Sequence, residues 1–180
     1  MSRGRLILVV GPSGAGKDTL LQFARARLHH RTDILFPRRV ITRPPDRAPN
    51  PTEAFESVSP AEFERRRAAG EFALHWHAHT LHYAIPAIIT ADLAAGRTVV
   101  VNTSRSVVAE ARSRFPTTTV LIDAPAATRA SRLAARNRET TTDQSNRLTR
   151  CTPLPTADAT IDNDGPIATA GATLIALITR

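Results

Sequence analysis

The stretch Leu6-Ile7-Leu8-Val9-Val10-Gly11-Pro12-Ser13-Gly14-Ala15-Gly16-Lys17-Asp18-Thr19 decides how this 180-residue chain is read. An uninterrupted apolar run such as Leu6–Val10 predicts a strand covered on both faces, here Arg5–Val10. Leu20, Leu21, Phe23, Ala24 and Leu28 then follow at helical spacing, which predicts a helix from Lys17 to about His30. The glycine-rich turn between them matches G-x-x-x-x-G-K, and strand before with helix after is the setting of a phosphate-binding loop. Glycines let successive backbone N–H groups turn inward, and the helix N-terminus adds positive potential. Lys17 is the only lysine, against 23 arginines. A compact ammonium fits between phosphates where a planar guanidinium does not. The pattern ordinarily ends in Ser or Thr; this chain has Asp18 there, followed by Thr19.

Bulk composition narrows the class. A chain of 180 residues makes one domain with a real core. The net charge of +8 points to an acidic partner: a phosphorylated metabolite, a nucleotide or nucleic acid. Aromatic residues are only 4%, too few for stacking along single-stranded nucleic acid. One cysteine, Cys151, excludes an internal disulfide and suits the cytosol. No apolar run reaches the roughly 18 residues of a membrane helix. The N-terminus leads directly into a strand, with no signal-peptide pattern. A cytoplasmic protein that engages neither membrane nor nucleic acid is expected.

Further along, Ile34–Ile41 is expected as one strand, and the proline-rich 42–51 as a surface loop that opens an insert. Ser59-Pro60-Ala61-Glu62 is a helix start: Ser59 caps, Pro60 fits the first turn and Glu62 completes a capping box. That helix should stop at Gly70. Short strands at Glu71–Trp76 and Leu81–Tyr83 follow, then a helix from Pro86 to Ala95. Thr98–Asn102 and Thr118–Ile122 read as buried strands, with Ser104–Phe115 and Pro125–Arg138 as helices. Glu139–Ser145 reads as mobile, Ala159–Asp162 as a short strand, and Pro166–Ile178 as a closing helix. Strands alternating with helices predict an α/β fold, mainly a parallel sheet flanked by helices, with phosphates bound at the carboxyl edge.

Together these motifs resemble nucleoside monophosphate kinases of the guanylate kinase type, within the P-loop NTPase fold. The resemblance rests on Gly11–Lys17, Thr42-Arg43-x-Pro45, Val58-Ser59-x-x-Glu62-Phe63 with Gly70-Glu71-Phe72, and Tyr83. It continues through Arg132-Leu133…Arg136, Arg147-Leu148 and Ile161-Asp162-Asn163-Asp164. It implies one kinase domain over 1–180, a substrate-binding insert at about 42–85 and a lid at about 136–147. The departures are informative. Guanylate kinases read guanine with carboxylates, whereas this chain has Leu74, Asn102 and Ser104 at those places, and Phe55 where a phosphate-holding tyrosine stands. Buried guanine donors left unpaired would lose about 1–3 kcal/mol each. Gly16-Lys17-Asp18-Thr19, Arg38-Arg39-Val40-Ile41-Thr42-Arg43-Pro44 and Ala73-Leu74-His75-Trp76 look instead like the ribose 1,5-bisphosphate phosphokinase branch, of phosphonate breakdown. That branch uses ATP to make 5-phosphoribosyl 1-diphosphate (PRPP).

On this reading the ATP-binding set is Gly11–Thr19 together with Asn163, and Lys17, Arg136 and Arg147 are the catalytic cations. Arg43 and Tyr83 would hold the phosphate being phosphorylated, and Arg39 and Arg105 the distal one. Arg129, Arg132 and Arg138 read as surface or packing residues, and Arg65-Arg66-Arg67 as a solvated helix face. The acid expected on a later strand has moved into the loop: that strand ends in Asn102, and Asp18 becomes the candidate carboxylate toward Mg²⁺. In the alternative, Asp18 caps the helix and Thr19 meets the metal. His75, His77 and His79 alternate along one strand face. With few acids nearby, phosphate contact or surface exposure explains them better than zinc. Two other readings stay open: a guanylate kinase, and a non-catalytic basic binding module on a kinase scaffold.

Overall fold

The computed structural model describes residues 4–44, 55–78, 80–135 and 157–180. The central sheet is built on β1 (Arg5–Val10), whose apolar residues are all fully buried. Leu6, Leu8 and Val10 enter one core cluster, and Ile7 and Val9 the other. That two-sided burial is why the run shows no polar alternation. After β1 come α1 (Lys17–Arg27), β2 (Ile34–Leu35) and β3 (Arg39–Ile41). Next are β4 (Phe55–Ser57), α2 (Pro60–Ala68), β5 (Phe72–Ala78) and β6 (Leu81–Pro86). Then come α3 (Ile89–Ala94), β7 (Thr98–Asn102), a 3₁₀ turn (Arg105–Val107) and α4 (Val108–Arg114). The described elements end with β8 (Thr117–Asp123), α5 (Ala126–Ala135), β9 (Ala159–Asp162) and α6 (Ile167–Thr179).

Five strands form a parallel sheet in the order β2-β7-β1-β8-β9. β1 therefore lies in the middle, and the loop after it opens at the carboxyl edge between the ends of β7 and β8. One face is covered by α1 and α6: Leu20, Ala24 and Leu28 meet Ala170, Leu174 and Ile178 over Ile7, Val9, Val100 and Val120. At Gly171 a side chain would run into the Phe23 ring, so glycine sets how closely α6 approaches α1. The other face packs against Val107, Val108 and Ala111 and against a second sheet.

The second sheet has the order β4-β3-β6-β5 and is mixed: β3 pairs parallel with β4 and antiparallel with β6, and β5 pairs antiparallel with β6. Leu74, Trp76, Tyr83 and Ile85 point from it into the core shared with the central sheet. Its other face carries Val40, Phe72 and Ala84 under Phe63 of α2.

The expected strand Ile34–Ile41 is corrected to two strands in two sheets. Phe36 and Pro37 lie in the break between them. Proline cannot donate to a ladder, so the chain leaves the first sheet there and enters the second. The helix expected from Pro86 begins at Ile89, because Pro86 still pairs with Phe72 as the end of β6. β4 was not anticipated; its register to β3 is a long-range pairing without local signal. The start of α2 is as read: Ser59 accepts from the Glu62 N–H at 3.1 Å. The Glu62 carboxylate, however, takes Arg65 rather than closing the capping box. Arg65 and Arg67 form exposed pairs along α2, whereas Arg66 is largely covered, bonded to Glu56 and Glu71. Among the described residues no helix is long and apolar enough to cross a membrane.

Phe63 is 1% exposed and its ring lies 4.8 Å from that of Phe72. Phe63→Ala should cost about 3–5 kcal/mol of stability through lost burial and a residual cavity. A drop in the thermal midpoint by scanning calorimetry is the expected readout.

Candidate active site

The loop Gly11–Gly16 is held by contacts that leave no room for side chains. Gly16 has φ 89° and caps α1; a Cβ there would collide with the Asn163 amide. Gly14 has φ 81°, and a Cβ would come 2.7 Å from the Arg129 carbonyl oxygen. Glycine is thus required twice, for backbone conformation and for close approach. The Lys17 ammonium reaches back over the loop and donates to the carbonyls of Gly11 at 2.8 Å and Pro12 at 2.9 Å. The glycine-rich loop and the start of α1 meet at the carboxyl edge of β1, which is the setting of an anion site.

Asn163 follows β9 and extends its ladder, its N–H bonding the Asp123 carbonyl at 2.8 Å. Its side chain is 5% exposed and donates from Nδ2 to the Ala15 carbonyl at 2.8 Å. Asn163 therefore holds the loop from beneath rather than standing apart from it.

Beside it Arg132 of α5 donates from Nη2 to the Asn163 carbonyl at 2.8 Å, while its Nη1 is buried without a hydrogen-bond partner. Gly16, Thr19, Arg132, Ala135, Asn163, Gly165 and Ile167 line a cleft of about 350 Å³. Ile167 is 40% exposed on that wall. Arg132, read as a surface or packing residue, does pack, against Asn163, and it also lines this cleft. The pairing of β9 beside β8 brings Asn163 under α5, which no local spacing signals. Arg129 packs as well, donating from Nε to the Ala124 carbonyl at 3.1 Å.

Asp18, on the first turn of α1, meets two other elements. Its Oδ1 accepts from Asn102 Nδ2 at 2.6 Å and lies 3.5 Å from Arg39 Nη2. Asn102 ends β7 and is in register with Val9; Arg39 opens β3 and is 9% exposed. The structure thus brings Lys17, Asp18, Asn102 and Arg39 together at the sheet edge. Arg105 lies in the 3₁₀ turn just beyond β7, whose start is capped by Ser104 accepting from the Ser106 N–H at 3.2 Å. Leu74 is fully buried in the core. The Tyr83 ring is buried too, stacked on Trp76 at 5.4 Å and paired across the sheet with Ile41. Arg43 places its guanidinium 5.0 Å from the Phe55 ring centroid. His75 and His77 are exposed on one face of β5, and the His77 ring lies 4.9 Å from that of His82. Among the described residues no cluster of three or more His, Cys, Asp or Glu could hold a metal ion. Arg136, Arg147, Arg138, His79 and Cys151, and with them the expected lid, lie outside the described residues.

The chain is similar to known kinases. The chain is 54% identical over 98% of its length to the ribose 1,5-bisphosphate phosphokinase PhnN of Acidiphilium cryptum, covering 93% of that protein. The chain belongs to the ribose 1,5-bisphosphate phosphokinase family. A second member, from Bradyrhizobium diazoefficiens, is 48% identical over 90% of this chain and 81% of its own. A family model described as an AAA domain matches residues 6–151. In fold, the chain is similar to the crystal structure of guanylate kinase from Anaplasma phagocytophilum. That match has a TM-score of 0.70 and 16% identity, and covers 99% of this chain and 86% of the other. The chain is therefore a P-loop kinase, a user of ATP, on a guanylate kinase-like scaffold.

Asn163→Ala removes the side-chain bond to the loop. It should lower stability by about 0.5–1.5 kcal/mol and weaken ADP binding, with calorimetric titration as the check.

Proposed function

We propose that this kinase transfers the γ-phosphoryl group of ATP to the 1-phosphate of ribose 1,5-bisphosphate, giving 5-phosphoribosyl 1-diphosphate and ADP, in phosphonate breakdown. The observation that carries this reading is the buried, apolar Leu74 together with the Asn102 amide committed to Asp18. Neither offers the carboxylate that a guanine base needs, and arginines stand near them instead. An acceptor with two phosphates and no base suits such a surface.

In the proposed reaction an oxygen of the acceptor phosphate attacks the γ-phosphorus, and the bond to the β–γ bridging oxygen breaks. The acceptor oxygen is already ionised near neutral pH, so no general base is required. Catalysis is then positioning and charge stabilisation. Backbone N–H groups from Ser13 to Asp18 cradle the β-phosphate, and the Lys17 ammonium moves from the loop carbonyls to bridge the β- and γ-phosphates. The cleft beside Gly16 takes the adenine, with Ile167 as an apolar wall and Arg132 on its lining. Asn163 acts mainly by holding the loop. Arg43 and the hydroxyl of Tyr83 hold the phosphate being phosphorylated, Arg39 and Arg105 face the distal phosphate, and Arg136 and Arg147 close over the γ-phosphate as a lid. The substrate-binding insert is assigned to about 42–85 and the lid to about 136–147.

The donor set fits Mg²⁺, which takes hard oxygen ligands: the Asp18 carboxylate lies on the first turn of α1 beside the phosphate loop, and Thr19 adds a hydroxyl. When bound, Mg²⁺ supplies charge neutralisation at the β- and γ-oxygens. Asp18 is assigned as its carboxylate ligand, directly or through water.

A coupled ADP-release assay comparing ribose 1,5-bisphosphate with GMP tests the substrate. Turnover of the sugar bisphosphate and none of GMP is expected; turnover of GMP alone would overturn the reading. Lys17→Ala should lower kcat on the order of 100-fold or more while leaving circular dichroism unchanged. Arg132→Ala should raise the KM for ATP and leave the KM for the acceptor in place.

A further inference from the structure

We infer that Asn102 is a positioning residue for Asp18, and that the two form an exchanged pair: the carboxylate stands on the first turn of α1 and the neutral donor on the strand. The inference rests on the assignment of Asp18 to Mg²⁺ made above.

Three observations carry it. Asn102 and Asp18 make a short bond of 2.6 Å although they are 84 residues apart. A charge-assisted bond of this length is stronger than a neutral one. Asn102 is itself fixed: it ends β7, its neighbours Val99–Val101 are buried in the sheet, and it is 8% exposed. The bond therefore ties the first turn of α1, directly after the phosphate loop, to a buried strand of the central sheet. Finally, the Asn102 and Arg39 contacts both fall on Oδ1, so among the described residues Oδ2 is the oxygen left for a cation or its water.

The chemistry follows from the donor inventory. An ionised carboxylate only accepts, and an amide nitrogen only donates. A hydroxyl at position 18 with a carboxylate at position 102 would make a bond of the same kind in the opposite sense. Here the anion stands on α1 and the neutral donor on β7, and Asn102 Nδ2 fixes the carboxylate's rotation. Arg39 offsets part of its charge from the second sheet, at 3.5 Å. A carboxylate held only by α1 would have to be ordered each time a cation bound. Hydrogen-bonded partners of metal ligands commonly change metal affinity by about 10–100-fold when removed.

The test is a thermodynamic cycle on the full chain, with Asp18→Asn, Asn102→Ala and the double variant. The primary readout is Mn²⁺ binding in the presence of ADP, followed by electron paramagnetic resonance, with thermal midpoints measured alongside. Mn²⁺ is the probe for the divalent site. We expect both single variants to bind Mn²⁺ about tenfold or more weakly, and the double variant to bind no more weakly than Asp18→Asn. Asn102 acts through Asp18, so its loss costs nothing once Asp18 is gone. Wild-type Mn²⁺ affinity in Asn102→Ala, with a loss in Asp18→Asn, would overturn the positioning role and leave the Asp18 assignment standing. Wild-type affinity in Asp18→Asn would overturn that assignment and this inference with it. Additive losses in the double variant, accompanied by a lowered thermal midpoint in Asn102→Ala alone, would mark Asn102 as structural and overturn the inference.

Discussion

The structure depends on one constraint: the glycine-rich loop at the carboxyl edge of β1 is packed so closely that Gly14 and Gly16 have no space for a side chain. α5 supplies the Arg129 carbonyl against Gly14, and the end of β9 supplies Asn163 against Gly16. Neither contact tolerates a side chain on the loop. The loop is therefore shaped by elements that arrive more than a hundred residues later, and it keeps its shape because β8 and β9 hold those elements in register. The same packing creates the cleft beside the loop, so loop and cleft are two faces of one arrangement.

Charge at the site is distributed in an unusual order. A basic chain carries an acidic side chain, Asp18, where P-loops ordinarily carry a hydroxyl. The Asp18 carboxylate joins three pieces of structure: α1, which bears the loop; β7, through Asn102; and the second sheet, through Arg39. Through the last of these contacts the second sheet is linked electrostatically to the phosphate loop. The second sheet is also attached by apolar packing, with Leu74, Trp76, Tyr83 and Ile85 in the shared core, and by Arg114 of α4 donating to the Ala73 carbonyl. Leu74 is fully buried in that core and serves as packing.

Much of this was legible in the chain. The apolar run Leu6–Val10, the glycine spacing and Lys17 specify strand, loop and helix from neighbours a few residues apart, because the periodicities of buried strand and amphipathic helix are local. Ser59 and Pro60 mark the start of α2 for the same reason. The strand break at Phe36-Pro37 had a local sign, the proline, that the β-branched residues on either side obscured. Strand β4 had no such sign: three residues become a strand only when β3 is beside them.

The sequence by itself determined that this is an α/β protein with a phosphate loop on its first strand, and that Leu74, Asn102 and Ser104 offer no carboxylate. Residue identity and short-range spacing suffice for both. Only the tertiary structure decided which side chains share the site. Asn102 meets Asp18 because β7 lies next to β1, and Asn163 reaches under the loop because β9 lies next to β8. Arg132 lines the cleft because α5 packs over both. Strand order is set by which buried faces fit together across the whole sheet, and no spacing along the chain records it.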